Sequence, residues 1–355
     1  MGDKQETSAA ERWASRNTNG PWLSILVPVY NVERYLQECL ESVMTQAGDG
    51  VEVIALDDVS TDGSAAVLAD FEMRYGAGFK VMKHLQNRGI SVARNTLLDA
   101  ARGRYVWFMD SDDLLLPNAV SELRRIVDRE DPDLVLCDYR KLRSKTKLKH
   151  RLRGEFHCRA FSGLENQKVT DRSSLVCGLF APGQMHVWSK VSKRSLWADD
   201  LRFPEGKYFE DLSISPRLAI RAQSYYYAPR VWLAYRQREG SIMSTPSAQK
   251  LNDRSESLVG FVDEFRRIES SPSAEANFLI SHTVAKNFIA AAKSVSGSSG
   301  SDRMARLKKY QSDFMRSIAM PLIDIRSGYF KRGWIVRWLR LSYWLRQVAA
   351  LENGS

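Results

Sequence analysis

Arg104 to Pro117 reads RYVWFMDSDDLLLP, and the rest of the chain is arranged around it. Tyr105 to Met109 is a short apolar run, rich in aromatic and β-branched residues, that arrives just after Gly103. That is the pattern of an interior strand. The run drives into three carboxylates, Asp110, Asp112 and Asp113, and Pro117 closes the segment. Acids at the carboxyl end of such a strand stand where open α/β sheets bind their ligands. Carboxylates one residue apart repel, so the place favours a cation. A hard divalent ion held by one or two carboxylates, with phosphate oxygens completing its shell, is the natural occupant. The plainer alternative is an acidic turn that caps the next helix.

Upstream, the pattern repeats. Leu23 to Val29 (LSILVPV) is a continuous apolar strand signal, and Tyr30 and Asn31 turn the chain. Tyr35, Leu36, Cys39, Leu40, Val43 and Met44 then share one face at helical spacing. Val51 to Leu56 predicts a second strand, ending in Asp57 and Asp58. Ser60 to Ser64 supplies turn and N-cap residues for a helix that runs to about Tyr75. Phe79 to Leu85 predicts a third strand, and Asn87, Arg88 and Gly89 turn into a helix through Ala101. This βαβαβαβ alternation predicts a parallel α/β sheet with helices on both faces. Both acid pairs then fall at carboxyl ends of strands, which makes a binding crevice.

The bulk numbers narrow the class. A chain of 355 residues is long enough for a real core and suggests two domains, or one with a long appendage. Apolar content of 44% and charged content of 26% are ordinary for a soluble globular protein. The net charge of +10 favours an anionic partner: nucleotide phosphates, a membrane surface or nucleic acid. Cys39, Cys137, Cys158 and Cys177 lack metal-type spacing and read as reduced cytosolic thiols, and the five histidines form no zinc pattern. No apolar run approaches the roughly 18 residues of a membrane span. Met1 to Gly20 is polar, without the apolar stretch of a signal peptide, so residues 1–21 read as a disordered lead-in. The expected location is cytoplasmic, with a peripheral place on the inner face of the cell membrane as an option.

Four stretches in order, VPVYNVERYLQECLESV, LDDVSTDGS, NRGISVARN and GRYVWFMDSDD, resemble the nucleotide-sugar-binding half of family 2 inverting glycosyltransferases of GT-A fold. The later WSKVSKRSLW, FPEGKYFEDL and YRQREGSI resemble the acceptor-side half. The resemblance covers about Trp22 to Met243 and implies a Rossmann-like, mostly parallel sheet, followed by a helical C-terminal region over 244–355. Its two halves would be 22–117 and 118–243. One departure shows: Val59 follows the paired acids where the family usually has glycine.

The resemblance also implies roles. Pro28 and Tyr30 would line the pocket of the base, Asp58 would accept hydrogen bonds from base or ribose, and Asn87 and Arg94 would lie near the ribose and diphosphate. A buried ion pair supporting the loops is the structural alternative for Asp57 and Arg94. Asp110, Ser111 and Asp112 form the D-x-D motif that holds the metal and diphosphate, with Asp112 the direct ligand of Mn²⁺ or Mg²⁺ and Asp110 nearer the ribose. Glu210 and Asp211 match the family's acidic pair, making Asp211 the general base and Glu210 an acceptor-positioning group. Arg236, Arg238 and Ser241 fall where the family's late loop closes on the diphosphate. Acids in the first turn of a helix also simply suit its macrodipole.

Together these imply transfer of a hexose or N-acetylhexosamine from a UDP-sugar to a hydroxyl of a cell-envelope or exopolysaccharide glycan, or of a lipid-linked glycan. The competing class is a catalytically inactive, membrane-associated scaffold that binds glycan or nucleotide sugar. A nucleotidyltransferase would show a glycine-rich basic stretch where Tyr30 to Glu33 stands. Nucleic acid is disfavoured, because the basic stretch Arg140 to Arg153 has no aromatic platform. That stretch reads as an exposed hairpin or loop, with an anionic acceptor or lipid headgroups as its candidate contact. Beyond Met243, Leu258 to Ile268, Ala274 to Ala292 and Met304 to Ile318 carry helical periodicity, and Ser294 to Ser301 reads as a flexible loop. At the end, Trp334, Trp338, Leu341, Leu345 and Val348 share one helix face beside Arg337, Arg340 and Arg346. That is the pattern of a helix lying on an anionic membrane surface, or of a tail packing its aromatics inward.

Overall fold

The computed structural model describes residues 20–143, 150, 152–198, 200–238, 247–295 and 300–353. Ser241, nearly all of the polar lead-in, the middle of the basic stretch (144–149) and the middle of the Ser294 to Ser301 loop (296–299) lie outside the described residues.

The chain divides into two compact units, each assembled from separate segments. The first takes Met1–Thr170, His186–Gly206 and Ala222–Glu239, and the second takes Asp171–Met185, Lys207–Arg221 and Gly240–Ser355.

The first unit holds the whole sheet. Strand β1 (Leu23–Val29), helix α1 (Glu33–Met44), β2 (Val51–Asp57), α2 (Ser64–Tyr75), β3 (Phe79–Lys83), α3 (Ile90–Ala100) and β4 (Tyr105–Phe108) follow in the alternating order that the sequence predicts. β1 pairs in parallel with both β2 and β4, and β2 with β3. Every residue of β1, β2 and β4 is buried, as strands covered on both faces must be. β1 therefore lies between the two acid-bearing strands, at the point where strand order reverses, and open α/β sheets form their crevice there. Gly103 makes the close approach possible. Its N–H donates to Ser24 Oγ (2.8 Å), and a Cβ there would stand 2.5 Å from the Ser24 nitrogen.

Past β4 the sheet becomes mixed. Beyond β5 (Leu114–Leu115) and helix α4 (Ala119–Glu130) come β6 (Leu134–Leu142), β7 (Lys168–Val169), β8 (Lys190–Lys193) and β9 (Tyr225–Arg236). β8 lies antiparallel between β4 and β6, β9 runs parallel to β6, and β5 and β7 pair antiparallel with β9. Trp107 and Trp188 are buried here, and the Trp107 indole N–H donates to the Trp188 carbonyl (2.8 Å).

The second unit is helical: α5 (Arg172–Phe180), α6 (Glu210–Arg221), α7 (Ala248–Glu256), α8 (Phe261–Ile268), α9 (Ala274–Ser294), α10 (Gly300–Ser317), α11 (Leu322–Lys331) and α12 (Ile335–Asn353). α9 is buried along most of its length and forms the unit's axis, with the Ser273 side chain capping it by accepting from Ala276 N–H (3.1 Å). The tail helix decides between the two readings of its apolar face. Leu341 and Val348 are fully buried, and Trp344 is nearly so. The tail packs that stripe inward, and a different set of apolar residues faces out: Ile335, Val336, Leu339 and Tyr343. Among the described residues no helix is long and apolar enough to cross a membrane.

Candidate active site

The carboxyl ends of β1 and β2 are laced together by side chains at helix starts. Asn31 N–H donates to Ser60 Oγ (3.1 Å), and Asn31 Oδ1 accepts from Thr61 N–H (2.8 Å). Glu33 and the Asp62–Gly63 turn exchange bonds: Glu33 N–H donates to Asp62 Oδ2 (3.0 Å), and Gly63 N–H donates to Glu33 Oε2 (2.9 Å). One N–H at the start of each of α1 and α2 is thus satisfied from the facing loop. Pro28 is buried in β1, and Tyr30, the first residue past the strand, is 47% exposed.

Asp58 is buried and saturated. Its carboxylate accepts from Arg88 N–H (2.9 Å) and Gly89 N–H (2.7 Å), and Nδ1 of His84 lies 2.6 Å away. The Asn87 side-chain amide donates to the Asp58 carbonyl (3.0 Å). One aspartate therefore gathers the whole loop from His84 to Gly89 and sets the start of α3. Gly89, at φ +82°, has the positive φ that presents its N–H to the carboxylate. His84 carried no sequence signal, being a lone histidine. Its role depends on Asp58, 26 residues away.

Val59 follows at φ +64°, a left-handed conformation that a β-branched residue rarely adopts. The turn needs a positive φ, which is the physical reason for glycine at this place, and this chain meets it with strain.

At the end of β4 the acids are crowded. Asp110 Oδ1 accepts from Arg94 Nη2 (2.9 Å), and Asp112 Oδ2 forms an ion pair with Arg238 Nε (2.9 Å). Arg236 crosses the cluster, with its backbone N–H on Asp113 Oδ1 (2.8 Å), its Nε on the Asp112 carbonyl (2.7 Å) and its Nη2 on Glu38 (2.6 Å). Arg236 and Arg238 both stand over the Tyr35 ring. Ser111, between the acids, is buried. The sequence reading gave no role to Asp113, Glu38 or Tyr35. Of the ion-pair alternative for Asp57 and Arg94, the structure shows the buried Arg94 paired with Asp110, and the Asp57 carboxylate 3.8 Å from Lys83.

Burial, and then the neighbouring Asp110, raise the carboxyl of Asp112 above its ordinary range, and Asp113 is raised further by burial, Asp110 and Asp112. Asp113 Oδ2 is buried with no hydrogen-bond partner. Like charges in low dielectric, with one oxygen orphaned, form an environment that a divalent cation relieves. Among the described residues no three Asp, Glu, His or Cys side chains converge as an all-protein metal cage. The donor set instead suits an ion held by one or two carboxylates and completed by phosphate oxygens.

Glu210 and Asp211 lie in the helical unit, in the first turn of α6, and both are partly buried. The loop before them is pinned to α7, with Tyr208 N–H on Asp253 (3.0 Å) and the Lys207 ammonium between Asp253 (3.1 Å) and Glu256 (3.0 Å). The sheet unit thus brings together Pro28, Tyr30, Asp58, Asn87, Arg94, Asp110, Ser111, Asp112, Arg236 and Arg238, while Glu210 and Asp211 belong to the other unit.

Residues 24–190 match the glycosyl transferase family 2 model. Glycosyltransferase GlyA of Streptococcus pneumoniae serotype 4 is 30% identical over 227 residues, which are 62% of this chain and 31% of GlyA. Minor teichoic acid biosynthesis protein GgaA of Bacillus subtilis is 37% identical over 105 residues, 28% of this chain and 23% of GgaA. The chain thus spans about a third or less of the length of these relatives. Among solved structures, S. aureus TarS 1-349 in complex with UDP-GlcNAc superposes with a TM-score of 0.69 at 20% identity, over 92% of this chain and 91% of that one. That likeness shows the fold, which is of GT-A type with a helical C-terminal region. The strand-end acids, the reversal at β1 and the family match agree, and the chain carries a glycosyl transferase family 2 domain over residues 24–190.

Proposed function

We propose that the protein is a metal-dependent inverting glycosyltransferase that moves a sugar from a UDP-sugar to a hydroxyl of a cell-envelope or exopolysaccharide acceptor. The observation that carries this reading is the carboxylate cluster at the end of β4, clamped by Arg94, Arg236 and Arg238 with Asp113 Oδ2 unpartnered. Diphosphate oxygens suit those guanidiniums, which recognise such groups with paired N–H donors. The UDP-GlcNAc bound to TarS and the teichoic acid role in the name of GgaA support the choice of donor and acceptor.

In this reading Pro28 and the exposed Tyr30 flank the base, and Asp58 and Asn87 hold the 84–89 loop beside the ribose. Asp112 and Asp110 would hold the cation, with Ser111 between them, and Arg94, Arg236 and Arg238 would surround the diphosphate; Ser241, which the resemblance also assigns there, lies outside the described residues. When bound, a divalent ion supplies Lewis-acid stabilisation of the departing diphosphate. Asp211 takes the proton from the acceptor hydroxyl as that oxygen attacks the anomeric carbon, and Glu210 orients the acceptor. One base and in-line attack invert the centre; retention would need a second carboxylate placed as nucleophile.

The test is a donor screen. Binding and slow hydrolysis of UDP-, GDP- and dTDP-sugars would be measured with Mn²⁺, with Mg²⁺ and with chelator, for the wild type, Asp112→Ala and Asp211→Ala. Metal-dependent binding of a UDP-sugar, lost in Asp112→Ala and kept in Asp211→Ala, is expected. A folded protein that binds no donor would instead be the inactive scaffold.

A further inference from the structure

We propose that the outward face of α11 and α12 is a docking surface for an anionic phospholipid bilayer. The two helices pack against each other within the helical unit. Six of the sixteen exposed large hydrophobic side chains among the described residues fall between Ile323 and Tyr343: Ile323, Phe330, Ile335, Val336, Leu339 and Tyr343. They are not scattered. On α12, Ile335, Leu339, Tyr343 and Val336 lie within one arc of about 100° at 3.6 residues per turn. The buried Leu341, Trp344 and Val348 take the opposite side of the helix. On α11, Ile323 and Phe330, seven residues apart, share a side and are 69% and 70% exposed.

The charge around this apolar strip selects its partner. From Ile323 to Arg346 the chain carries Arg326, Lys331, Arg332, Arg337, Arg340 and Arg346 against the single acid Asp324. Arg332 pairs with Glu275, and Arg326 donates to Ser342 Oγ (3.0 Å). Arg337 is held without neutralisation. Its guanidinium lies 4.0 Å from the Trp334 ring centre, and its Nη1 is 3.3 Å from His282 Nε2. Arginine only donates, so Nε2 accepts, and the imidazole proton sits on Nδ1, 2.9 Å from the Tyr329 hydroxyl. The histidine is thereby neutral, and the arginine keeps its full charge at the surface.

Apolar side chains flanked by unneutralised arginines fit an interface of acyl chains below anionic headgroups. A second copy of this chain would set one cationic strip against another, which like-charge repulsion disfavours.

Full-length protein would be sedimented with vesicles of 70% phosphatidylcholine and 30% phosphatidylglycerol, and with pure phosphatidylcholine, at physiological salt. Binding to the anionic vesicles alone is expected. The exposed triple variant Val336→Gln, Leu339→Gln, Tyr343→Gln should weaken it about ten-fold or more. Arg340→Gln and Arg346→Gln should weaken it about five-fold each. All these side chains face solvent, so an unchanged circular dichroism melt would show that the fold is kept. Equal partition to both vesicle types, a wild type left in the supernatant, or a triple variant that binds as well as the wild type would each overturn the proposal. A dimer in sedimentation velocity that the triple variant dissolves would make the partner a second copy instead.

Discussion

After β2, the carboxylate of Asp58 takes two backbone N–H groups and a histidine; after β4, Asp110 and Asp112 meet arginine side chains, while Asp113 takes the Arg236 backbone N–H and its other oxygen has no partner. The two strand ends flank the same β1, yet Asp58 is tied by groups that cannot leave, and Asp110 and Asp112 by groups that can. Backbone donors fixed in a turn make a rigid frame. Guanidiniums on flexible stems can turn from a carboxylate to a phosphate when one arrives. The contrast separates scaffold from chemistry more sharply than the acids themselves do.

Four substitutions would break or sharpen that contrast. Asp112→Ala is expected to cost transfer about a thousand-fold while the melting temperature stays near the wild type, read by kcat/KM beside a thermal melt. Collapse of the fold would mean that the β4 end is scaffold too. Asp58→Ala should do the reverse, losing about 3 kcal/mol of stability as Arg88 and Gly89 N–H are left without their acceptor. Denaturant unfolding measures this, and a stability unchanged to within experimental error would end the distinction.

Asp113→Asn should raise stability without metal at neutral pH by about 1 kcal/mol, because it removes a buried charge while keeping the acceptor for Arg236 N–H. The sign follows from the raised carboxyl: above its ordinary range the folded state holds a proton that the unfolded state has released. Wild-type stability therefore falls as pH rises from the ordinary carboxylate range through the raised value, and the variant should lack that fall. Unfolding midpoints at several pH values, with chelator, decide it. Val59→Gly is the smallest, a gain of about 0.5 kcal/mol as relief of the left-handed strain exceeds the added freedom of the unfolded chain. A loss would mean that the valine side chain contributes packing worth more than the strain.

The sequence was most readable where burial is complete. β1, β2 and β4 are continuous apolar runs because helices cover both faces, and the acids that end them are legible for the same reason. Legibility fails where pairing, not burial, makes the strand. β8 is only Lys190 to Lys193 and gains its place from β4 and β6, while β9 contains Pro229, which reads as a break. The partners of the acids were hidden for a related reason. Glu38 meets Arg236, and His84 meets Asp58, across sequence gaps that no local pattern spans. In α12 the periodicity was visible, but with apolar residues on both sides the sequence alone did not say which side turns inward.

The interleaving of the two units has a consequence for synthesis on the ribosome. The chain leaves the sheet unit at Asp171 and again at Lys207, and returns for β8 and for β9. When β9 emerges, the nine strands are complete in sequence, but α5 and α6 still await α7 to α12 as packing partners. The nascent chain must therefore carry two apolar excursions, among them the segment with Glu210 and Asp211, until the last hundred or so residues arrive. No single cut separates the units, so a graft that exchanges one helical region for another must replace three segments together.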